Sequence, residues 1–203
     1  MDSSKNRYGS KQLLGLVYKS GFDSDMYIQN ALIHFYSGCD HMGYAYKVFH
    51  KMSEKDVVSW TSVINGLVDN KRPMDGLRLF KRMEMEGFGQ NYVTVILVLR
   101  ACAETGALSV GIKLDEFVNG RGVKLKKKVV TAFIDMYLKC GCLDSVMRVF
   151  DAAVNKDVYV WTTMIAGLAS HGRCKEAVEL FEQMESIALK PDEKTKTNKK
   201  LQR

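Results

Sequence analysis

Apolar residues in this chain recur three, four and seven positions after a small or apolar leader, which is the spacing of one face of an α-helix. Ala45, Val48, Phe49 and Met52 follow it, and so do Gly76, Leu79, Phe80 and Met83. Val146, Val149, Phe150 and Ala153 repeat it, as do Ala177, Leu180, Phe181 and Met184. Ser10, Leu13, Leu14 and Val17 give the same stripe. Gly111, Leu114, Asp115 and Val118 give it with one polar member. The leaders at 10, 45, 76, 111, 146 and 177 are spaced by 35, 31, 35, 35 and 31. A second stripe precedes these, for example Trp60, Val63, Ile64, Leu67 and Val68. Short polar turns, DNKRP at 69–73 and SHGR at 170–173, separate the two. Each period of 31–35 residues therefore predicts a helical hairpin.

Three periods sum to 101 residues, and the chain matches itself at that offset. Residues 25–90 and 126–191 share 19 identities in 66 positions, among them Tyr36/Tyr137, Trp60-Thr61/Trp161-Thr162 and Leu79-Phe80/Leu180-Phe181. A lone hairpin cannot cover its own apolar faces, whereas stacked neighbours can. The expected fold class is all-α, a right-handed α-solenoid (superhelix) of stacked helical hairpins.

Composition narrows the class without naming a task. The chain has 203 residues, 46% hydrophobic and 26% charged, enough to build a core. It has two prolines, Pro73 and Pro191, and no glycine-rich linker, so nothing in the sequence marks a boundary between globular domains. The greasiest stretch, 94–103, is too short for a membrane span. The N-terminus lacks the apolar core of a signal peptide, and no transit peptide is visible. Five irregularly spaced cysteines fit reduced thiols rather than a disulfide framework. The net charge of +7 suits an anionic partner. Much of that charge sits at 121–128 and in the tail. The tail, 193–203, is expected to be basic and disordered.

The segments 30–52 and 131–151 resemble the short repeat of the pentatricopeptide repeat (PPR) family. Segments 56–87 and 157–192 resemble its standard repeat, and 93–111 its long one. Residues 9–24 resemble the end of another long repeat. The mixture resembles the plant subclass that alternates all three variants. The implied organisation is a solenoid over 1–192. It holds a partial long repeat (1–25), a short (26–56), a standard (57–91), a long (92–126), a short (127–157) and a standard repeat (158–192). The resemblance also implies a truncated member, lacking the first opening helix and any C-terminal extension. One such extension is a zinc deaminase-like domain with H-x-E and C-x-x-C signatures. No histidine here begins H-x-E and no cysteines are spaced C-x-x-C, so no such chemistry is expected. No nucleophile constellation, phosphate loop, metal site or cofactor site is expected either, and the chain reads as no enzyme.

The resemblance implies binding of single-stranded RNA at about one base per repeat, each base read by two polar side chains. Carried over, the pairs are Asn30 with Asp56, Thr61 with Asn91, Thr131 with Asp157, and Thr162 with Asp192. In the family these combinations favour U, A, G and G. The long repeat offers Ile96 and Lys126, which match no such pair. The implied site is U-A-N-G-G. Lys126, Lys127 and Lys128 are candidates for phosphate contact, and Val58, Tyr159 and Ile28 for flanking a base. Residence in a mitochondrion or chloroplast follows from kinship, as does work with RNA-processing or editing proteins supplied in trans. No membrane or small-molecule partner is expected.

Plainer readings stand beside these. Asp56, Asn91, Asp157 and Asp192 sit where helix N-caps sit. Thr61, Thr131 and Thr162 fit exposed helix positions. Trp60 and Trp161 lie on the apolar stripe and read as core. Paired-helix solenoids also serve as protein–protein scaffolds, and a truncated fragment would fold poorly.

Overall fold

The computed structural model describes residues 12, 15–17, 19–21, 24–120, 126–154 and 156–187. Ser10, Leu13, Leu14, Asp192 and the tail 193–203 lie outside the described residues. Ten α-helices of defined bounds form five hairpins. They are α1 (Met26–Gly38) with α2 (Met42–Lys51), and α3 (Val57–Asp69) with α4 (Pro73–Met85). Next come α5 (Tyr92–Thr105) with α6 (Leu108–Asn119), and α7 (Lys127–Lys139) with α8 (Leu143–Ala152). Last is α9 (Val158–Ser170) with α10 (Cys174–Ser186). No described helix is long and apolar enough to cross a membrane.

The turn inside every hairpin is built the same way. Asp40, Lys71, Gly106, Gly141 and Gly172 all take positive φ, between 58° and 75°. The next residue's N–H reaches back five positions to the last turn of the first helix. Examples are His41 to the Tyr36 carbonyl at 2.8 Å, Arg72 to Leu67 at 2.8 Å and Arg173 to Leu168 at 2.9 Å. These bonds satisfy carbonyls that the helix end would otherwise orphan. Glycine takes that backbone without penalty, whereas an L side chain strains it by about 1–2 kcal/mol. Lysine has no compensating local bond of the kind Asp offers. Lys71→Gly is therefore expected to stabilise the chain by about 0.5–1 kcal/mol, read as a higher urea midpoint.

Contacts cluster into two compact units, Met1–Ala101 and Cys102–Arg203. In the first unit α1 packs on α2 and α3, and α3 packs on α4. Its core holds the predicted stripe residues Ala45, Phe49, Trp60, Ile64, Leu67 and Met83, joined by Ile33 and Tyr36 of α1, all buried. Trp60 is core, as its stripe position implies. Phe49 meets it edge-on with centroids 4.8 Å apart, and the Arg82 guanidinium lies 5.8 Å from its ring centroid. Gly66 lets α3 approach α1, because a Cβ there would stand 2.6 Å from the Ser37 Cβ.

The second unit repeats this grammar. α7 packs on α6, α8 and α9, and α9 on α8 and α10. Trp161 is buried edge-on to Phe150 at 4.9 Å. Gly167 stands where Gly66 does, with Leu138 over it in place of Ser37. Lys55 and Lys156, identical at the 101-residue offset, both donate 2.9 Å bonds to carbonyls at a helix end, Met52 and Ala153. That positions a cation at the negative end of the helix dipole, and it explains why the shared phrase begins Lys-Asp-Val.

The polar member of the sixth-helix stripe, Asp115, is buried, and its carboxylate is fully engaged. It accepts from the Tyr137 hydroxyl at 2.7 Å, from the Asn119 amide at 2.8 Å and from the Arg148 guanidinium. Burial, then the Asp115 hydrogen bond and charge, push the Tyr137 phenol above its ordinary value. The Asp115 hydrogen bond also raises Arg148. All five cysteines are free, and burial pushes the Cys102 thiol up to about 12, leaving it a packing residue at neutral pH.

Candidate nucleic-acid interface

The candidate residues gather at the N-terminal ends of the first helix of each hairpin. Four donors per helix start without partners there, and a side-chain oxygen at the N-cap satisfies one or two. Asp25 Oδ1 accepts from the Tyr27 and Ile28 amides at 2.8 and 3.0 Å. Asp56 Oδ1 accepts from the Ser59 amide and hydroxyl, both at 2.8 Å, and the Asp56 amide donates back to Ser59 Oγ at 3.3 Å. Asn91 Oδ1 accepts from the Thr94 amide at 2.9 Å and the Thr94 hydroxyl at 3.1 Å. Asp157 Oδ1 accepts from the Val160 amide at 3.1 Å. Capping is thus a real duty of Asp56, Asn91 and Asp157. In the two aspartates it leaves Oδ2, and in Asn91 it leaves Nδ2, for other work.

One turn further in lie Asn30, Thr61, Thr131 and Thr162. The three threonines are only 8–9% exposed, so they are not the exposed helix residues of the plainer reading. Thr61 Oγ1 lies 2.8 Å from Thr94 Oγ1, which joins Thr61 to Asn91 through a single buried hydroxyl. The Asn30 side chain hydrogen-bonds to the Asp56 carboxylate, while its own Oδ1 is buried without a partner. Two of the four sequence pairs are thereby brought into one hydrogen-bonded group each. Thr131 instead donates to the Lys127 carbonyl at 3.1 Å, and Thr162 to the Tyr159 carbonyl at 3.1 Å. Asp192, the partner of Thr162, lies outside the described residues. Ile96 is half-buried.

Lys126, Lys127 and Lys128 are exposed at the start of α7, where Lys126 takes the N-cap position without a side-chain cap bond. The Lys127 ammonium lies 3.8 Å from Asp157 Oδ2, a surface pair of small strength. Two residues after each Asp or Asn cap of these first helices stands an exposed apolar side chain: Tyr27, Val58, Val93 and Tyr159, with the two tyrosines 82% and 67% exposed. Counting from Asp25 corrects one expectation, because the residue matching Val58 and Tyr159 is Tyr27 rather than the half-buried Ile28. The count from the cap was available in the sequence. The roles of Ser59 and Thr94 were not, since nothing distinguishes a bridging hydroxyl from any other helix serine or threonine.

Burial works to raise the Asp56 carboxyl, but hydrogen bonds from Ser59, Asn30 and Val58 outweigh it and hold the group below its ordinary value. A depressed carboxyl stabilises the fold above its unfolded value and loses that contribution as pH falls through the lower folded value. Stability is therefore expected to drop below about pH 4, and Asp56→Asn is expected to flatten that acid slope in urea titrations at pH 3 and pH 5.

A PPR repeat matches residues 30–57, 58–88 and 129–158, and a model of the PPR repeat family matches 156–197. The chain belongs to the pentatricopeptide repeat family. One pentatricopeptide repeat-containing protein of Arabidopsis thaliana is 40% identical over 171 residues, covering 84% of this chain and 29% of that protein. The PPR protein DOT4, chloroplastic, from the same plant is 38% identical over 199 residues, covering 96% of this chain and 22% of DOT4. A mitochondrial PPR protein of Arabidopsis is 37% identical over 178 residues, covering 87% of this chain and 28% of that protein. The chain therefore spans between about a fifth and a third of these relatives. The crystal structure of the maize PPR protein PPR10 superposes with a TM-score of 0.76 at 20% identity, over 93% of this chain and 28% of PPR10. The fold class is thus the all-α solenoid of PPR hairpins. PPR10 has also been solved in complex with an 18-nt psaJ RNA element, and that structure superposes with a TM-score of 0.77.

Proposed function

We propose that this PPR chain binds single-stranded RNA with sequence preference, reading about one base per hairpin through its paired polar side chains. The observation that supports this reading most is the joining of Asn30 with Asp56, and of Thr61 with Asn91, at the helix starts. Polar atoms left over from capping meet base edges, Tyr27, Val58, Val93 and Tyr159 offer stacking surface, and Lys126–Lys128 offer charge for phosphates. The RNA complex of maize PPR10 supports the same partner. The reading assigns U to Asn30/Asp56, A to Thr61/Asn91, and G to both Thr131/Asp157 and Thr162/Asp192. It places the chain in a mitochondrion or chloroplast, in keeping with its chloroplastic and mitochondrial relatives. There it acts as an adaptor for RNA processing or editing, with any chemistry supplied by proteins in trans.

Four coding pairs contribute modest affinity, since each stacked base is worth about 1–3 kcal/mol before the ordering of the strand is subtracted. Micromolar binding is expected. Selection from a randomised RNA pool by the purified chain tests the reading. Enrichment of U-A-N-G-G is the expected result, and a bound pool without any shared motif contradicts it.

A further inference from the structure

Thr94 is fully buried and reaches no solvent, yet it touches both members of a base-reading pair. The directions of its bonds follow from valence. The Thr94 amide can only donate, so the Asn91 atom facing it at 2.9 Å is the carbonyl Oδ1 and not the amide nitrogen. That fixes the Asn91 side chain with Nδ2, its two-proton donor, turned away from the helix. The Thr94 hydroxyl has one proton, and the 3.1 Å bond to Asn91 Oδ1 uses it. In the 2.8 Å contact between the two hydroxyls Thr61 must then donate. Its proton is spent inward, and Thr61 can offer a ligand only a lone pair. The pair therefore presents one acceptor, Thr61 Oγ1, beside one donor, Asn91 Nδ2. Adenine carries the complement on its Watson–Crick edge, an amino donor at C6 beside an acceptor at N1. Guanine carries the reverse order.

We propose that Thr94 is a positioning residue that sets the hydrogen-bond polarity of the Thr61/Asn91 pair, and that Ser59 holds Asp56 for Asn30 in the same way. The proposal rests on the base-reading assignment above and deepens it. Ser59 stands at the same position, third after the cap, and donates both its amide and its hydroxyl to Asp56 Oδ1. The second unit supplies an internal contrast. Val160 occupies that position after Asp157 and has no hydroxyl, and Thr131 turns to a carbonyl of its own helix. Among the described residues, Thr61/Asn91 is bridged by a buried hydroxyl, Asn30/Asp56 is joined directly with Ser59 holding the carboxylate, and Thr131/Asp157 has neither arrangement. Specificity at the first two positions depends on a residue that never touches the base.

The test uses the full chain and five-nucleotide-core RNAs that differ only at the second position, UAAGG and UGAGG. The readout is the ratio of affinities, which loss of fold alone does not move in a chain that still melts cooperatively. Wild type is expected to favour UAAGG. Thr94→Val, which keeps the shape and removes the hydroxyl, is expected to cut that ratio about five- to tenfold. Thr94→Ser is expected to restore it. If Thr94→Val does not fold, Ser59→Ala reads the same claim at the first position, where preference for U over C is expected to fall by a similar factor. A folded Thr94→Val or Ser59→Ala chain with an undiminished ratio overturns the positioning role while leaving the base reading intact. A wild-type chain indifferent to the second base overturns the base reading and this proposal together.

Discussion

Arg148→Met is expected to lower the unfolding free energy by about 2–4 kcal/mol, measured by urea denaturation at pH 7. Asp115 is 3% exposed, and its charge is balanced within the second unit by the Arg148 guanidinium. Removing the cation leaves an ionised carboxylate inside the fold with only Tyr137 and Asn119 as donors. Breaking a buried pair from one side costs about 3–5 kcal/mol, and the half-exposed Arg148 side chain brings the figure down. The paired nature of the cost makes a second expectation. Replacing Asp115, Arg148 and Tyr137 together by Leu, Met and Phe is expected to recover most of the loss, because no buried polar atom is then orphaned. A single-variant loss under about 0.5 kcal/mol would mean that solvent already screens the pair.

Trp60→Ala is expected to cost about 3–5 kcal/mol, the range for deleting a large buried aromatic. The residue is fully buried, with Phe49 edge-on at 4.8 Å and Phe88 at 5.8 Å. It closes the joint between α2, α3 and α4, so its loss opens a cavity that rigid neighbours cannot fill. The same substitution separates core from stacking platform. A Trp60→Ala chain that keeps its stability but loses RNA affinity would place the indole against a base. The expected result is the reverse, a lower melting temperature by about 10 °C with base preference preserved wherever the chain stays folded.

Much of the architecture was legible because each hairpin writes its packing twice, once per helix stripe. Leu79, Phe80 and Met83 announce the buried face of α4 by spacing alone, and Trp60, Ile64 and Leu67 do so for α3. Identities at the 101-residue offset fell on residues with matching jobs: Lys55 and Lys156 at a helix end, Gly66 and Gly167 at a close approach, Trp60 and Trp161 in the core. Period and burial carry no information about hydrogen-bond direction. Hence Asp115 read as a blemish in a stripe, although it is the centre of a buried polar cluster. Lys71 gave no sign of its left-handed backbone, because the same turn holds glycine in three other hairpins. The cap positions were visible as Asp or Asn before the first helix of four hairpins, at Asp25, Asp56, Asn91 and Asp157. The bridging of Thr61 to Asn91 by Thr94 needs three-dimensional coordinates, since it joins side chains from two successive hairpins.

The measurement that bears most directly on the central claim is binding of the full chain to UAAGG, UAACC and a scrambled RNA at two salt concentrations. The account predicts preference for UAAGG at both, with overall affinity falling as salt rises through its phosphate contacts. It predicts that this preference is lost when Thr131→Asn and Asp157→Ser are combined, since that pair is assigned one of the two guanines. Equal and strongly salt-sensitive binding to all three RNAs, unchanged by those substitutions, would contradict it.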